Sequence, residues 1–313
     1  VASVGYVVEV EVPLRCIFCK KASDASSSVE HIIPESLGNT VHTLPPGVVC
    51  DKCNNYFARE VEKPFLDSGV IRKLRAEQSL PKKNGKLLGL EGVLWPGHPA
   101  TVYFPPHGTV GLPVLDLESP GAVRALNRAA RRKAGAGRSG IAFPGVFDPP
   151  DDHVASRLLA KMALEAFTKR GMDYGLDYEY VVDESQLDPV RNHARIGDPR
   201  VKWPYHIRQI YDANKPWVEA DGSVVQRKNE YDILVTENWE YYFVVAIFGL
   251  ELTINLGGPN IEGYEAWLAK HENASPLYYG KNATGERIPE ELVEPFQFTP
   301  SWMLVTTSLF RGR

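Results

Sequence analysis

The chain has 313 residues, 43% of them hydrophobic and 24% charged, which permits a sizeable buried core and excludes wholesale disorder. Its formal charge of −4, from 35 basic and 39 acidic side chains, excludes a histone-like positive coat but not a localised nucleic-acid surface. No run of 18 apolar residues occurs and the first residues do not lead from a basic stretch into an apolar one, so neither a membrane span nor a secretory signal is expected and a cytoplasmic location is. The charge is uneven along the chain. Residues 1–150 hold 18 basic and 14 acidic side chains, whereas residues 229–300 hold 3 basic and 12 acidic ones, a stretch that a polyanion would avoid.

All four cysteines fall in the first 53 residues, as Cys16-Ile17-Phe18-Cys19 and Cys50-Asp51-Lys52-Cys53, with 30 residues between the pairs. Two such knuckles have the spacing of a tetrahedral four-cysteine zinc site. Paired disulfides are the competing reading, disfavoured in a cytosolic chain. With all four positions filled by thiolates, the zinc would hold the fold and offer no open coordination position. Between the knuckles, Ser28-Val29-Glu30-His31-Ile32-Ile33-Pro34 reads as one strand of a hairpin. After the second knuckle, Tyr56, Phe57, Val61 and Phe65 mark a helix start, which Pro64 would interrupt or kink. The local plan is knuckle, strand, loop, knuckle, helix.

That order, C-x-x-C, Glu30-His31-Ile32-Ile33-Pro34, then C-x-x-C followed by Asn54-Asn55, resembles the HNH endonuclease family with its zinc-stapled ββα-metal fold; the likeness covers about residues 14–62. By residue type, a histidine with a pKa near ~6.5 suits a proton-accepting role at neutral pH. The resemblance implies that His31 is the general base, that Glu30 and Asn54 hold one Mg²⁺ or Mn²⁺ ion, and that Asn39 braces the loop behind the histidine. Asn55 is a rival to Asn54. The family more often has Asp where this chain has Glu30. Neighbouring side chains on a strand point to opposite faces, so Glu30 and His31 could share an ion only on a bent or bulged hairpin. His42, His98, His107, His153 and His271 carry no supporting pattern and read as structural.

Farther on, residues 68–86 are basic, and residues 92–121 are rich in Pro and Gly and read as a linker. Residues 124–138 carry Arg124, Arg128, Arg131, Arg132, Lys133 and Arg138 without an acid, a candidate grip on a DNA backbone. Residues 154–170 form the clearest helix, with a wide apolar face. Arg191 and Arg195 open a basic stretch interleaved with Trp203 and Tyr205, a second candidate contact. Residues 207–256 read as a strand meander, with Asp221-Gly222 a strong hairpin signal.

The expected fold is α+β: an HNH nuclease module over 1–91, the linker over 92–121, and an α+β recognition or accessory domain with an antiparallel sheet over 122–313. The expected function is DNA phosphodiester hydrolysis, with RNA not excluded and restriction or phage defence among the settings. A homodimer would serve double-strand cleavage. The alternative is a zinc-dependent nucleic-acid-binding protein without catalysis.

Overall fold

In the computed structural model the described residues are 14–278, apart from 83, 95–96, 106–112, 118, 132–140 and 219–221, together with 304–305. The expected hairpin forms from β1 (Glu30–His31) and β2 (Thr43–Leu44), antiparallel, with Glu30 opposite Leu44 and His31 opposite Thr43. Helix α1 (Asp51–Phe57) starts inside the second knuckle, where Cys50 is the N-cap and its sulfur accepts the Cys53 N–H. Pro64 does not end this helix. A proline cannot donate to the carbonyl four residues back and crowds it, and here the helix widens into a π turn over Ala58–Glu62 before continuing as α2 (Lys63–Leu66). Helix α3 (Gly69–Glu77) follows.

The segment expected as a linker is not one. Strands β3 (Leu90–Leu94), β4 (His98–Tyr103) and β5 (Val114–Leu117) run through it, and with β6 (Ile141–Ala142) and β13 (Leu304–Val305) they form a five-stranded sheet in the order β13-β6-β3-β4-β5. Pro and Gly do stop helices there, but buried and exposed positions alternate along β3, the period of a half-buried strand. Helix α4 (Pro120–Arg131) packs on this sheet.

Helix α5 (Asp152–Asp173) outruns its apolar pattern at both ends, and Asp151 caps its start by accepting the Val154 N–H at 3.0 Å. It is buried on every side from Ala155 to Ala166. Short helices α6 (Glu179–Asp183) and α7 (Asp188–Arg195) follow. The expected meander is present: β7 (Tyr205–Gln209), a small hairpin of β8 (Trp217–Val218) and β9 (Val224–Val225), then β10 (Asn229–Val235), β11 (Tyr241–Ile247) and β12 (Leu250–Asn255). The larger sheet is antiparallel in the order β10-β11-β12-β7, with α8 (Glu262–Lys270) after it. Between β11 and β12 the chain reverses over Phe248 and Gly249, both at positive φ, as a two-residue hairpin turn demands. Only glycine fits the second place, since a Cβ would lie 2.1 Å from the Tyr211 carbonyl oxygen.

One hydrophobic core joins the cysteine-bearing segment to the rest. Phe18, Ile32, Phe57 and Phe65 belong to the same buried cluster as Leu158 and Met162 of α5 and Phe243 and Ile247 of β11. The expected division into 1–91 and 122–313 therefore does not separate two cores. No helix among the described residues is long and apolar enough to cross a membrane.

Candidate active site and metal centre

The four cysteine sulfurs converge, all within 4.8 Å of one another, and none is in a disulfide. A zinc tetrahedron with bonds of about 2.3 Å has edges of about 3.8 Å, and the Cys19 and Cys50 sulfurs are 3.7 Å apart. The thiols perturb one another's proton affinities. A hydrogen bond from Cys53 brings the Cys16 thiol down to about 5, while burial pushes Cys50 up to about 11 and the bond to Cys16 holds Cys53 protonated. Four thiolates cannot crowd together without a central positive charge, and this donor set is compatible with structural zinc.

The first knuckle is held by an arginine from far along the chain. Arg191 is 1% exposed; its Nε donates to the Ile17 carbonyl at 2.6 Å, and its other nitrogens bond the Val181 carbonyl and Asp188. This corrects its expected nucleic-acid role: the guanidinium is used up inside the protein. Arg195 is half-buried beside Cys53, and the cysteines raise its pKa, so it lies against the cysteine cluster instead of on a free basic face. Arg15 pairs with Glu179 at 2.7 Å and with Asp183 at 2.8 Å. Arg124 is exposed on α4. Arg128 and Arg131 lie on the same helix, their side chains outside the described set, and Arg132, Lys133 and Arg138 lie outside the described residues altogether.

Strand alternation separates the central pair. Glu30 is 2% exposed, whereas His31 is half-buried. Asn39 is 2% exposed and ties the loop between β1 and β2 together with four bonds. Its Nδ2 donates to the carbonyls of Ile33 (2.6 Å) and His42 (3.0 Å), and its Oδ1 accepts from the amides of Val41 (3.1 Å) and His42 (2.9 Å). His42 itself packs edge-on against Tyr231, and burial lowers its pKa. In α1, Asn54 directly follows the last cysteine and is half-buried, whereas Asn55 is exposed. The imidazole Nδ1 of His31 is buried without a hydrogen-bond partner.

Three charged residues beside this pair were missed in the sequence. Lys161 of α5 places its Nζ 2.6 Å from Glu30 Oε1, 3.0 Å from Glu62 Oε1 and 3.1 Å from Glu165 Oε2. Burial raises the pKa of Glu30, and the Lys161 charge opposes it. The second oxygen of Glu30 has no hydrogen-bond partner. An orphaned carboxylate oxygen on β1 and the Asn54 amide in α1 are oxygen donors of the kind that Mg²⁺ or Mn²⁺ takes, so these residues fit the ion that the resemblance implies. The carboxylates around Lys161 stand wider apart than one ion would hold them: among the described residues only the cysteines form a converging metal-ligating group.

No curated protein and no solved structure matches the chain. Residues 16–68, which hold the four cysteines together with Glu30, His31, Asn39 and Asn54, match the family model described as HNH endonuclease.

Proposed function

We propose that the protein is a metal-dependent endonuclease that hydrolyses phosphodiester bonds in DNA. The observation that carries this reading is the Glu30-His31 pair on β1, held between two cysteine knuckles inside the segment that matches the HNH endonucleases. His31 takes a proton from the attacking water, and its imidazole has a nitrogen with no protein partner. Asn39 fixes the loop that follows β1, so that His31 stays in place. Glu30, through its unpartnered oxygen, and Asn54 hold one Mg²⁺ or Mn²⁺. When bound, such an ion stabilises charge on the phosphate and on the leaving 3′-oxygen. The cysteines are committed to the zinc cluster, and water attacks directly.

The test is a supercoiled-plasmid assay with Mg²⁺, Mn²⁺ or EDTA, run beside His31→Ala. Metal-dependent nicking or linearisation that His31→Ala loses while keeping its zinc supports the reading. The ratio of nicked to linear product distinguishes one copy acting on one strand from a homodimer acting on both. Modified phage DNA extends the assay to a restriction or phage-defence setting. Absence of cleavage on every substrate, with both proteins binding DNA equally, would make the chain a zinc-dependent nucleic-acid-binding protein.

A further inference from the structure

The charged residues Arg157, Lys161, Glu165 and Lys169 follow one another at intervals of four on α5, a single stripe along the helix. Such a stripe ordinarily faces solvent. Here its central members are completely buried against the N-terminal domain, and Lys161 and Glu165 both have fully enclosed side chains. Arg157 donates to the Tyr56 hydroxyl at 2.7 Å. Lys161 lies 131 positions beyond Glu30 in sequence, well outside the segment that matches the nuclease family, yet its ammonium touches both members of the central pair. It donates to Glu30 Oε1 at 2.6 Å and to the His31 main-chain carbonyl at 3.2 Å. Glu62, presented by the π turn, and Glu165 hold the ammonium from the other sides.

A lysine in this place costs desolvation that a packed apolar side chain would avoid, so the cluster is a poor device for stability alone. Its geometry does something more specific. Glu30 is gripped by one oxygen only, and the other is left without a partner. Three carboxylates around one ammonium leave a formal excess of two negative charges, which one divalent cation would balance.

We propose that Lys161 is a positioning residue of the nuclease site, supplied by α5: it fixes Glu30 so that the free oxygen is presented to the divalent ion, and it anchors the backbone of His31 beside it. This rests on the nuclease reading above. Lys161 does not touch the ion or the phosphate. It acts through Glu30 and β1.

The experiment compares the full-length zinc-loaded protein with the double variant Lys161→Met/Glu165→Gln, which removes the ammonium but keeps the formal charge of the cluster. Binding of Mn²⁺ is read from the loss of the free-ion electron paramagnetic resonance signal, and plasmid cleavage is resolved into kcat and KM. Partners that orient a metal ligand are worth roughly 10–100-fold in affinity or activity. The double variant is therefore expected to bind Mn²⁺ at least about tenfold more weakly and to lose kcat by a similar factor. Its KM for DNA, its zinc content and its cooperative unfolding should be retained. Mn²⁺ affinity and kcat within twofold of wild type would overturn the proposal, as would a wild-type protein that binds no Mn²⁺ at all. If wild type binds Mn²⁺ and the variant loses it, but neither cleaves any substrate, the nuclease reading fails while the role of Lys161 toward the ion stands.

Should the double variant not fold, Lys161→Arg serves in its place. A planar guanidinium keeps the charge but cannot set one point donor between the Glu30 carboxylate and the His31 carbonyl. Several-fold weaker Mn²⁺ binding supports the proposal, and unchanged binding overturns it.

Discussion

His31 and His193 show how differently two histidines in one chain can be used. His31 sits half-buried on β1 with its Nδ1 buried and unpartnered, so no protein hydrogen bond competes with the proton-accepting role proposed for it. Removing a general base commonly costs about 10²–10⁴ in rate, so His31→Ala should lower kcat on plasmid by about a thousandfold. Zinc content should not change, because the imidazole is no part of the four-sulfur cluster. His193 is instead a core residue. It is 4% exposed, its Nε2 is 3.0 Å from the Ser156 hydroxyl, and its ring stacks on Trp203. Burial, helped by the nearby His153 and Arg157, lowers its pKa to about 4. In the unfolded chain the value is about 6.5. Above that pH both states are neutral and the folded state keeps its full advantage. As the pH falls toward 4 the unfolded chain takes up the proton first, and stability is lost. By pH 5 the loss is about 2 kcal/mol from this group. Urea unfolding at pH 7 and pH 5 should therefore show a smaller pH-dependent drop in His193→Gln than in wild type. Equal drops would mean that His193 is not held neutral.

At the scale of elements, the loop between β1 and β2 depends on one side chain. Asn39 bonds four backbone groups of a part-buried turn, of which the His42 carbonyl also accepts from the Ile32 amide. At about 1 kcal/mol net per bond, Asn39→Ala should cost about 2–4 kcal/mol. Amide exchange at Val41 and His42 should accelerate more than exchange in β11; uniform acceleration would mean that Asn39 supports the whole fold and not this loop. The brace and the roles of the β1 pair were legible in the sequence only through the family resemblance, whereas the knuckles, α5 and the strands over residues 207–256 were legible from spacing and periodicity, which are local properties. What local pattern could not reveal is which face a charge takes. The stripe on α5 reads as a solvated helix face at intervals of four, and only the arrival of Glu30 and Glu62 from the other end of the chain buries it. Arg191 misleads for the same reason. A basic residue in a run with aromatics suggests a nucleic-acid surface, but its fork was needed to satisfy the Ile17 and Val181 carbonyls inside the protein. The strands over residues 90–117 escaped notice because Pro and Gly punctuation hid short alternating stretches.

For the whole molecule, the question is whether the N-terminal domain is autonomous. Zinc coordination can fold small modules outright, with about 10–16 kcal/mol available in zinc-finger peptides, which favours autonomy. The packing argues the other way. The core that contains Ile32, Phe57 and Phe65 continues into α5 and β11, and Arg191, Arg15 and Lys161 all reach into the domain from beyond residue 91 or are received there. Cutting the chain after residue 91 would expose that apolar face and leave Glu30 without its buried cation. It would also leave the Ile17 carbonyl without its arginine. The local knuckles should survive, since all four ligands lie within residues 16–53. A fragment of residues 1–91 is thus expected to take up one zinc, yet to lack a sharp thermal transition, to bind Mn²⁺ at least about tenfold more weakly than the full chain, and to leave plasmid uncut. Calorimetry and the plasmid assay on the same preparation decide the matter. A fragment that unfolds cooperatively and nicks DNA at the full-chain rate would show that α5 and the sheets only choose where an independent nuclease cuts. The expected failure would show that they complete the site that does the cutting.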